Sequence, residues 1–275
     1  MSAFESTSTD LRKHERFASR FLAETRDLIV YLPPGYADTP AQRYPVLYLH
    51  DGQNLFDGAT AFVAGQDWHV NATADAMIRE GEIEPLIIVG IYNTGEHRID
   101  DYTPTRDRKH RKGGDADLYG QMLTQEVKPF IDAEYRTLAA PGDTGLGGSS
   151  LGGLVTLYLG MRHPDVFGRL AVMSPSVWWD GRVILRVVRM TEPKPRLKIW
   201  LDIGMDEGKK TLLDARALRN ELVRAGWVDG EDLAYSEVAD AGHNEAAWAS
   251  RVGLFLQYLF PRRGDGRKGR RRRDA

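Results

Sequence analysis

The 275-residue sequence predicts an α/β fold, with one mostly parallel central sheet and helices on both of its faces. Three observations predict it. Short continuous apolar runs, at residues 45–50 and 85–92, are what strands buried on both faces require. Segments with helical spacing lie between such runs, and strands alternating with helices close a parallel sheet through right-handed crossovers. A Gly-rich turn at residues 147–153 separates a short apolar stretch from a longer one, which reads as strand, turn and helix.

In chain order, residues 16–24 and 25–32 alternate apolar and polar side chains and stop at Pro33, Pro34 and Gly35. They read as two antiparallel edge strands. Residues 45–50 form a central strand ending at Asp51 and Gly52, residues 70–80 a helix, and residues 85–92 another buried strand. The polar, Arg- and Asp-rich stretch 94–117 reads as a loop of a length compact domains seldom carry without a use. Asp115 and Asp117 suit the start of the helix that follows, over about residues 118–133. A strand at 144–147 leads into the Gly-rich turn and its helix, and further strands are expected at 167–173, 197–203 and 233–238. A helix spans 209–225, and a last one spans 245–260 with Trp248, Val252, Phe255 and Leu259 at helical spacing. One domain over residues 10–260 is expected, with a flexible segment at 1–9 and a basic, disordered tail at 261–275. In such a sheet, function collects at the carboxyl ends of the strands.

With 42% hydrophobic residues and charge spread along its length, the chain reads as soluble and globular. Its net charge of −2 conceals an asymmetry: residues 262–275 hold seven Arg and one Lys against two Asp, a charge of +6 that leaves −8 on the rest. A solvated tail is the expected reading; nucleic-acid or anionic-lipid binding is the alternative, and the acidic body opposes polyanions. No nucleic-acid partner is expected of the body, and the oligomeric state is left open. No apolar run reaches the roughly 18 residues of a membrane span. The N-terminus lacks the basic-then-apolar pattern of a signal peptide, so the cytoplasm is the expected compartment. Without cysteine there are no disulfides and no thiolate metal ligands, and no other metal-binding spacing is visible. No metal and no cofactor are expected.

The chemistry concentrates in the Gly-rich turn. Residues 148–152 fit G-x-S-x-G, the nucleophile elbow, in which Ser150 is forced onto a sharp turn between strand and helix. Glycines two before and two after the serine are expected because side chains there would clash. The turn exposes the Ser150 hydroxyl and frees the Leu151 N–H to bind an oxyanion. A serine hydroxyl needs a base, and the base an orienting acid, in the chain order Ser, acid, His. Only His163 and His243 follow Ser150. A twelve-residue helix carries His163 roughly 18 Å away, so His243, between the last strand and the last helix, is the expected base. The acid is sought after the strand at 197–203, where Asp202, Asp206 and Glu207 are candidates. Asp202 is still inside the strand; Glu207 is preferred to Asp206, with Asp180 an outside candidate. The second oxyanion donor is expected at Gly52 or Gln53, the glycine permitting close approach of substrate, while His50 reads as a buried organiser of that loop. Trp178 and Trp179 could wall a substrate pocket. Arg98 and Tyr102, in the long basic loop, could favour an anionic or polyphenolic acyl group.

Together these residues resemble the "putative esterase" family of α/β-hydrolases, which includes enterochelin (siderophore) esterases, feruloyl and acetyl-xylan esterases, S-formylglutathione hydrolase and mycolyl transferases. The likeness extends from Val30 to Trp248, with landmarks at residues 49–56, 101–104, 148–153, 174–179 and 242–245. The segments Asp51-Gly52-Gln53 and 174–179 look most like the siderophore-esterase branch. The resemblance implies an α/β-hydrolase fold and hydrolysis of a small-molecule carboxylic ester through an acyl-enzyme, with Ser150 as nucleophile and His243 as base. The family's Gly-x-x-acid pattern falls on Gly204 and Glu207, and some relatives manage with Ser and His alone. Implied substrates are siderophore, acylated-carbohydrate or feruloyl esters. The alternatives are an acyltransferase on the same site, or a non-enzymatic binding protein that uses the tail.

Overall fold

A computed structural model of the protein describes residues 10–262. The segment 1–9 lies outside the described residues, as does the expected tail apart from Pro261 and Arg262. Those two belong to the body: Pro261 bridges Ile83, and the Arg262 N–H donates to the Glu82 carbonyl at 3.2 Å.

The strands are β1 (Asp10–Phe17), β2 (Arg26–Leu32), β3 (Val46–His50), β4 (Ile87–Ile91), β5 (Thr144–Ser149), β6 (Arg169–Met173), β7 (Lys198–Gly204) and β8 (Leu233–Val238). They form one sheet in the order β1-β2-β4-β3-β5-β6-β7-β8. β1 pairs antiparallel with β2, and β2 with β4; every other pair is parallel. The helices are α1 (Val70–Glu80), α2 (Arg98–Asp101), α3 (Ala116–Met122), α4 (Lys128–Glu134), α5 (Leu151–Arg162), α6 (Val183–Met190), α7 (Lys209–Arg224), α8 (Glu245–Ala249) and α9 (Val252–Leu259). Among the described residues no helix is long and apolar enough to cross a membrane.

Successive side chains of a strand face opposite sides, so each central strand feeds two cores. Val46 and Tyr48 of β3 belong to the core shared with α3, α4, α5, α6 and α7, whereas Leu47 and Leu49 belong to the core shared with α1 and α9. The elbow helix α5 is buried from Leu151 to Met161, which explains why it reads as apolar all round. Asp51, Ser150, Ser174, Glu207 and His243 all follow strand carboxyl ends, on β3, β5, β6, β7 and β8.

Several elements depart from the sequence reading, among them the stretch 94–117, read as a loop, which carries α2. The first strand is β1 at Asp10–Phe17, not residues 16–24, and β2 lies inside the sheet rather than at its edge. In the segment that follows β1, the Ser19 hydroxyl accepts the N–H groups of Phe21 and Leu22 and donates to Glu126, and these local bonds displace the strand. The expected helix at 118–133 is α3 and α4 joined by a π-helical turn at Leu123–Val127; Pro129, at the second position of α4, has no N–H to give. A helix the sequence reading did not assign, α6, covers the crossover from β6 to β7. Finally, the C-terminal helix is broken into α8 and α9 at Ser250 and Arg251, where Arg251 turns its side chain into the protein.

Candidate active site

β5 carries the chain to Ser149, which is buried and paired with Met173 of β6. Ser150 then adopts φ 59° and ψ −119°, a conformation costly for a residue with a side chain. Both of its backbone groups are tied to the segment after β6: its N–H donates to the Met173 carbonyl, and its carbonyl accepts from the Ser176 N–H, each at 3.0 Å. The steric demand on the neighbouring glycines differs from the expectation. A Cβ on Gly148 would lie 3.0 Å from His50 Cδ2, but one on Gly152 would meet nothing nearer than 3.5 Å. Gly153 is the tight position, where a Cβ would stand 2.6 Å from the Met173 carbonyl oxygen.

Ser150 Oγ lies 3.0 Å from His243 Nε2, and His243 Nδ1 lies 2.6 Å from Glu207 Oε2. A carboxylate only accepts, so Nδ1 carries the hydrogen and Nε2 is left as acceptor for the serine hydroxyl. The imidazole stands edge-on to Trp248 at 4.9 Å. Its Glu207 partner has no exposed side-chain surface, and Glu207 Oε1 also accepts from the Gly204 N–H at 2.9 Å and from the Ser174 hydroxyl at 2.5 Å. Burial raises the Glu207 carboxyl, but the bonds from His243, Ser174 and Gly204 outweigh it and hold the group below the ordinary glutamate value. Asp206, by contrast, is exposed and gives the cluster only its backbone, whose N–H donates to the Ala241 carbonyl. Asp180 is engaged elsewhere, accepting from Thr105. His163 caps the far end of α5.

Behind Glu207 is a buried polar chain that sequence reasoning missed. Ser174 Oγ accepts from Trp248 Nε1 at 3.1 Å and from an Arg251 nitrogen at 3.2 Å. With both lone pairs taken, its one proton must go to Glu207. Arg251, wholly buried, also donates to Asp202 at 2.9 Å, and Asp202 accepts in turn from Trp200 Nε1 and the Ser174 N–H. Burial pushes the Asp202 carboxyl up to about 6 against the pull of Arg251, Trp200 and Ser174. One signal was available: Arg251 stands three residues after Trp248 and four before Phe255, on the apolar stripe of the predicted helix.

A cavity of 260 Å³ borders Ser150; Asp51, Asn54, Phe62, Arg98, Glu245 and Trp248 are among its walls. A larger one of 590 Å³ lies at the amino ends of β6 and β7, away from Ser150. Arg98 is in the smaller cavity, but its guanidinium is forked onto the Asp51 carboxylate through two 2.7 Å bonds. Tyr102, expected to meet substrate, is fully buried beneath Arg98 and accepts the Asp51 N–H. Trp179 is buried with its indole N–H on the Thr105 carbonyl, while Trp178 is exposed beside His110; neither lines this cavity. The remaining bases of the loop, from Arg106 to Lys112, are exposed and away from it. Gly52 and Gln53 open a short turn after β3. A Cβ on Gly52 would stand 2.6 Å from the Gly90 carbonyl carbon, so this glycine permits approach to β4 rather than to a substrate. His50 is buried on Tyr119, its pKa lowered by burial to about 3, so it stays neutral.

The sheet order and this cluster define an α/β-hydrolase. Residues 19–253 match the family described as "Putative esterase". The chain belongs to that family and is a carboxylic ester hydrolase. It is similar to an uncharacterized protein, YbbA, of Bacillus subtilis (strain 168), at 26% identity over 88% of this chain and 95% of that one. An endo-1,4-beta-xylanase/feruloyl esterase of Xylanibacter ruminicola is 31% identical across 84% of this chain and 29% of its own length. Among solved structures, the enterobactin esterase FES from Shigella flexneri shares the fold with a TM-score of 0.73 at 21% identity, covering 92% of this chain and 59% of that one.

Proposed function

We propose that the protein hydrolyses its ester through an acyl-enzyme on Ser150, with His243 as general base and Glu207 as orienting acid. The observation that carries this reading is the continuous hydrogen-bonded line from Ser150 Oγ through the imidazole to the buried Glu207 carboxylate. His243 Nε2 takes the hydroxyl proton as Oγ attacks the ester carbonyl. The resulting oxyanion is met by the Leu151 N–H at the head of α5, where backbone donors lack helical partners and the helix dipole favours negative charge. A second N–H comes from Gly52 or Gln53. Protonated His243 then gives its proton to the departing alcohol, and water repeats the sequence on the acyl group. Glu207 keeps the imidazole in its reactive tautomer and stabilises the imidazolium. The names of the feruloyl esterase and enterobactin esterase relatives support feruloyl, acylated-carbohydrate and siderophore esters as the first substrates to try.

The test is a panel of chromogenic acyl esters, siderophore lactones and feruloyl or acetyl sugars, run with wild type and Ser150→Ala. A fluorophosphonate should label Ser150 and abolish turnover. Wild-type kcat/KM in the alanine variant, or labelling at Ser149, would overturn the assignment.

A further inference from the structure

Resting on that reading, we infer that Glu245 makes the cavity beside Ser150 selective for an ester whose flanking group is uncharged or cationic and donates a hydrogen bond, and selective against a carboxylate.

The cavity walls carry three charged side chains close to the serine: Asp51, Arg98 and Glu245. Arg98 is spent on Asp51 through its bidentate pair, and Asn93 adds a bond to the same carboxylate. Glu245 is 7% exposed and forms no ion pair among the described residues. Its oxygens accept only from Asn54 Nδ2, at 3.3 Å, and from the Trp68 indole N–H. A carboxylate offers about four acceptor sites, so two neutral donors leave it capacity for more. The cavity wall thus carries two carboxyl groups against one guanidinium, and that guanidinium is hydrogen-bonded to Asp51 rather than to Glu245. Burial raises the Glu245 carboxyl, with Trp68 pulling it down, Asp51 pushing it up, and the more weakly acting Arg98 and His243 pulling it down. A donor arriving with substrate would relieve that cost, and a second carboxylate would add to it.

The surroundings hold this carboxylate in place. Asn54 donates to Glu245 with its amide nitrogen and accepts the Phe62 N–H with its oxygen, at 2.8 Å, so it has no freedom to turn. Phe62 itself is 84% exposed at the cavity rim, and Trp248 forms another wall. An apolar or aromatic body bearing a hydroxyl or ammonium group fits this arrangement, with the ring against Phe62 and the donor inward. The anionic acyl preference suggested by the basic loop is thereby reversed: the loop cation that lines this cavity, Arg98, already has its fork on Asp51.

The experiment uses benzyl acetates carrying para methyl, hydroxymethyl, aminomethyl or carboxylate groups, and the matching methyl phenylacetates, so that both sides of the ester bond are sampled. On the side that occupies the cavity, the hydroxymethyl and aminomethyl esters should exceed the carboxylate in kcat/KM by about tenfold or more. Glu245→Gln should shrink the aminomethyl-to-carboxylate ratio by about tenfold, while hydroxymethyl keeps its lead over methyl because the amide oxygen still accepts. A carboxylate ester hydrolysed as well as its ammonium counterpart, or a ratio unmoved in Glu245→Gln, overturns the inference. Titrating folded Ser150→Ala with 4-methylbenzylamine and 4-methylbenzoate judges it without catalysis and without altering Glu245. Tighter ammonium binding upholds it even if no ester in the panel turns over, an outcome that would count against the serine-esterase reading alone; equal binding overturns it.

Discussion

Glu207 and Asp206 are adjacent in sequence and opposite in circumstance. Glu207 is buried against three donors, and Asp206 faces water. Glu207→Gln should therefore lower kcat by orders of magnitude with little change in KM, since the amide cannot both orient Nδ1–H and support an imidazolium. Asp206→Asn should stay near wild type; steady-state kinetics on one chromogenic ester checks the pair, and reciprocal results would move the acid by one residue. The lowered Glu207 pKa also has a signed consequence for stability. Its charge stabilises the fold fully above the ordinary glutamate value of 4.5 and ceases to do so as pH falls through its lowered folded-state value. The Tm advantage of wild type over Glu207→Gln should narrow between about pH 5 and 3; an advantage that widens there contradicts the sign. That Ser150, His243 and Glu207 lie in one hydrogen-bonded line was legible in the sequence, because a steric motif, chain order and spacing are local or ordinal signals. Ser174 and Glu245 could not, because what defines them is contact with residues 77 and 191 positions away.

At the scale of elements, the sequence displayed what periodicity controls and hid what single side chains decide. The buried strands β3 and β4 and the helix α1 fall where apolar runs and helical spacing put them. The shift of β1 depends on Ser19, whose hydroxyl serves two neighbouring N–H groups and the distant Glu126, and the break between α8 and α9 on Arg251, whose partner Asp202 lies far back in the chain. The turn after β3 is the element on which the proposed oxyanion site depends most. Gly52 lies so close to β4 that a methyl group would overlap Gly90 and Ile91 backbone atoms, at 2.6 and 2.7 Å, and backbone cannot rotate aside. Gly52→Ala should push the whole turn outward, costing about 1–3 kcal/mol of stability. Displacement of the Gly52 or Gln53 N–H should lower kcat by roughly a hundredfold, the scale of a lost oxyanion donor. Thermal melts and kinetics on the same preparation separate the two losses; a variant with a lowered Tm and unchanged kcat would place the second donor elsewhere.

Across the whole molecule, the site is assembled from the ends of five strands, so something must hold those ends in register. The Arg251–Asp202 pair is placed to do it. Arg251 begins the final helical segment, Asp202 lies in β7, and Ser174 between them follows β6 and touches Glu207. Both charged groups are fully buried, so breaking the pair differs from removing it. Arg251→Met leaves the Asp202 carboxylate in the core without a cation, which should cost about 3–5 kcal/mol. At about 2–4 °C per kcal/mol for a domain of this size, Tm should fall by roughly 10 °C. Adding Asp202→Asn removes the stranded charge while keeping an acceptor for Trp200, and should restore more than half of that fall. Activity should not return with stability. Without the Arg251 N–H, one lone pair of the Ser174 hydroxyl is free, its proton is no longer committed to Glu207, and the histidine loses part of its orientation. The double variant should therefore melt near wild type yet keep a kcat lowered by about tenfold or more. If kcat recovers with Tm, the buried pair serves stability only; if the two Tm losses simply add, Asp202 is not stranded by loss of Arg251 and the coupling is absent.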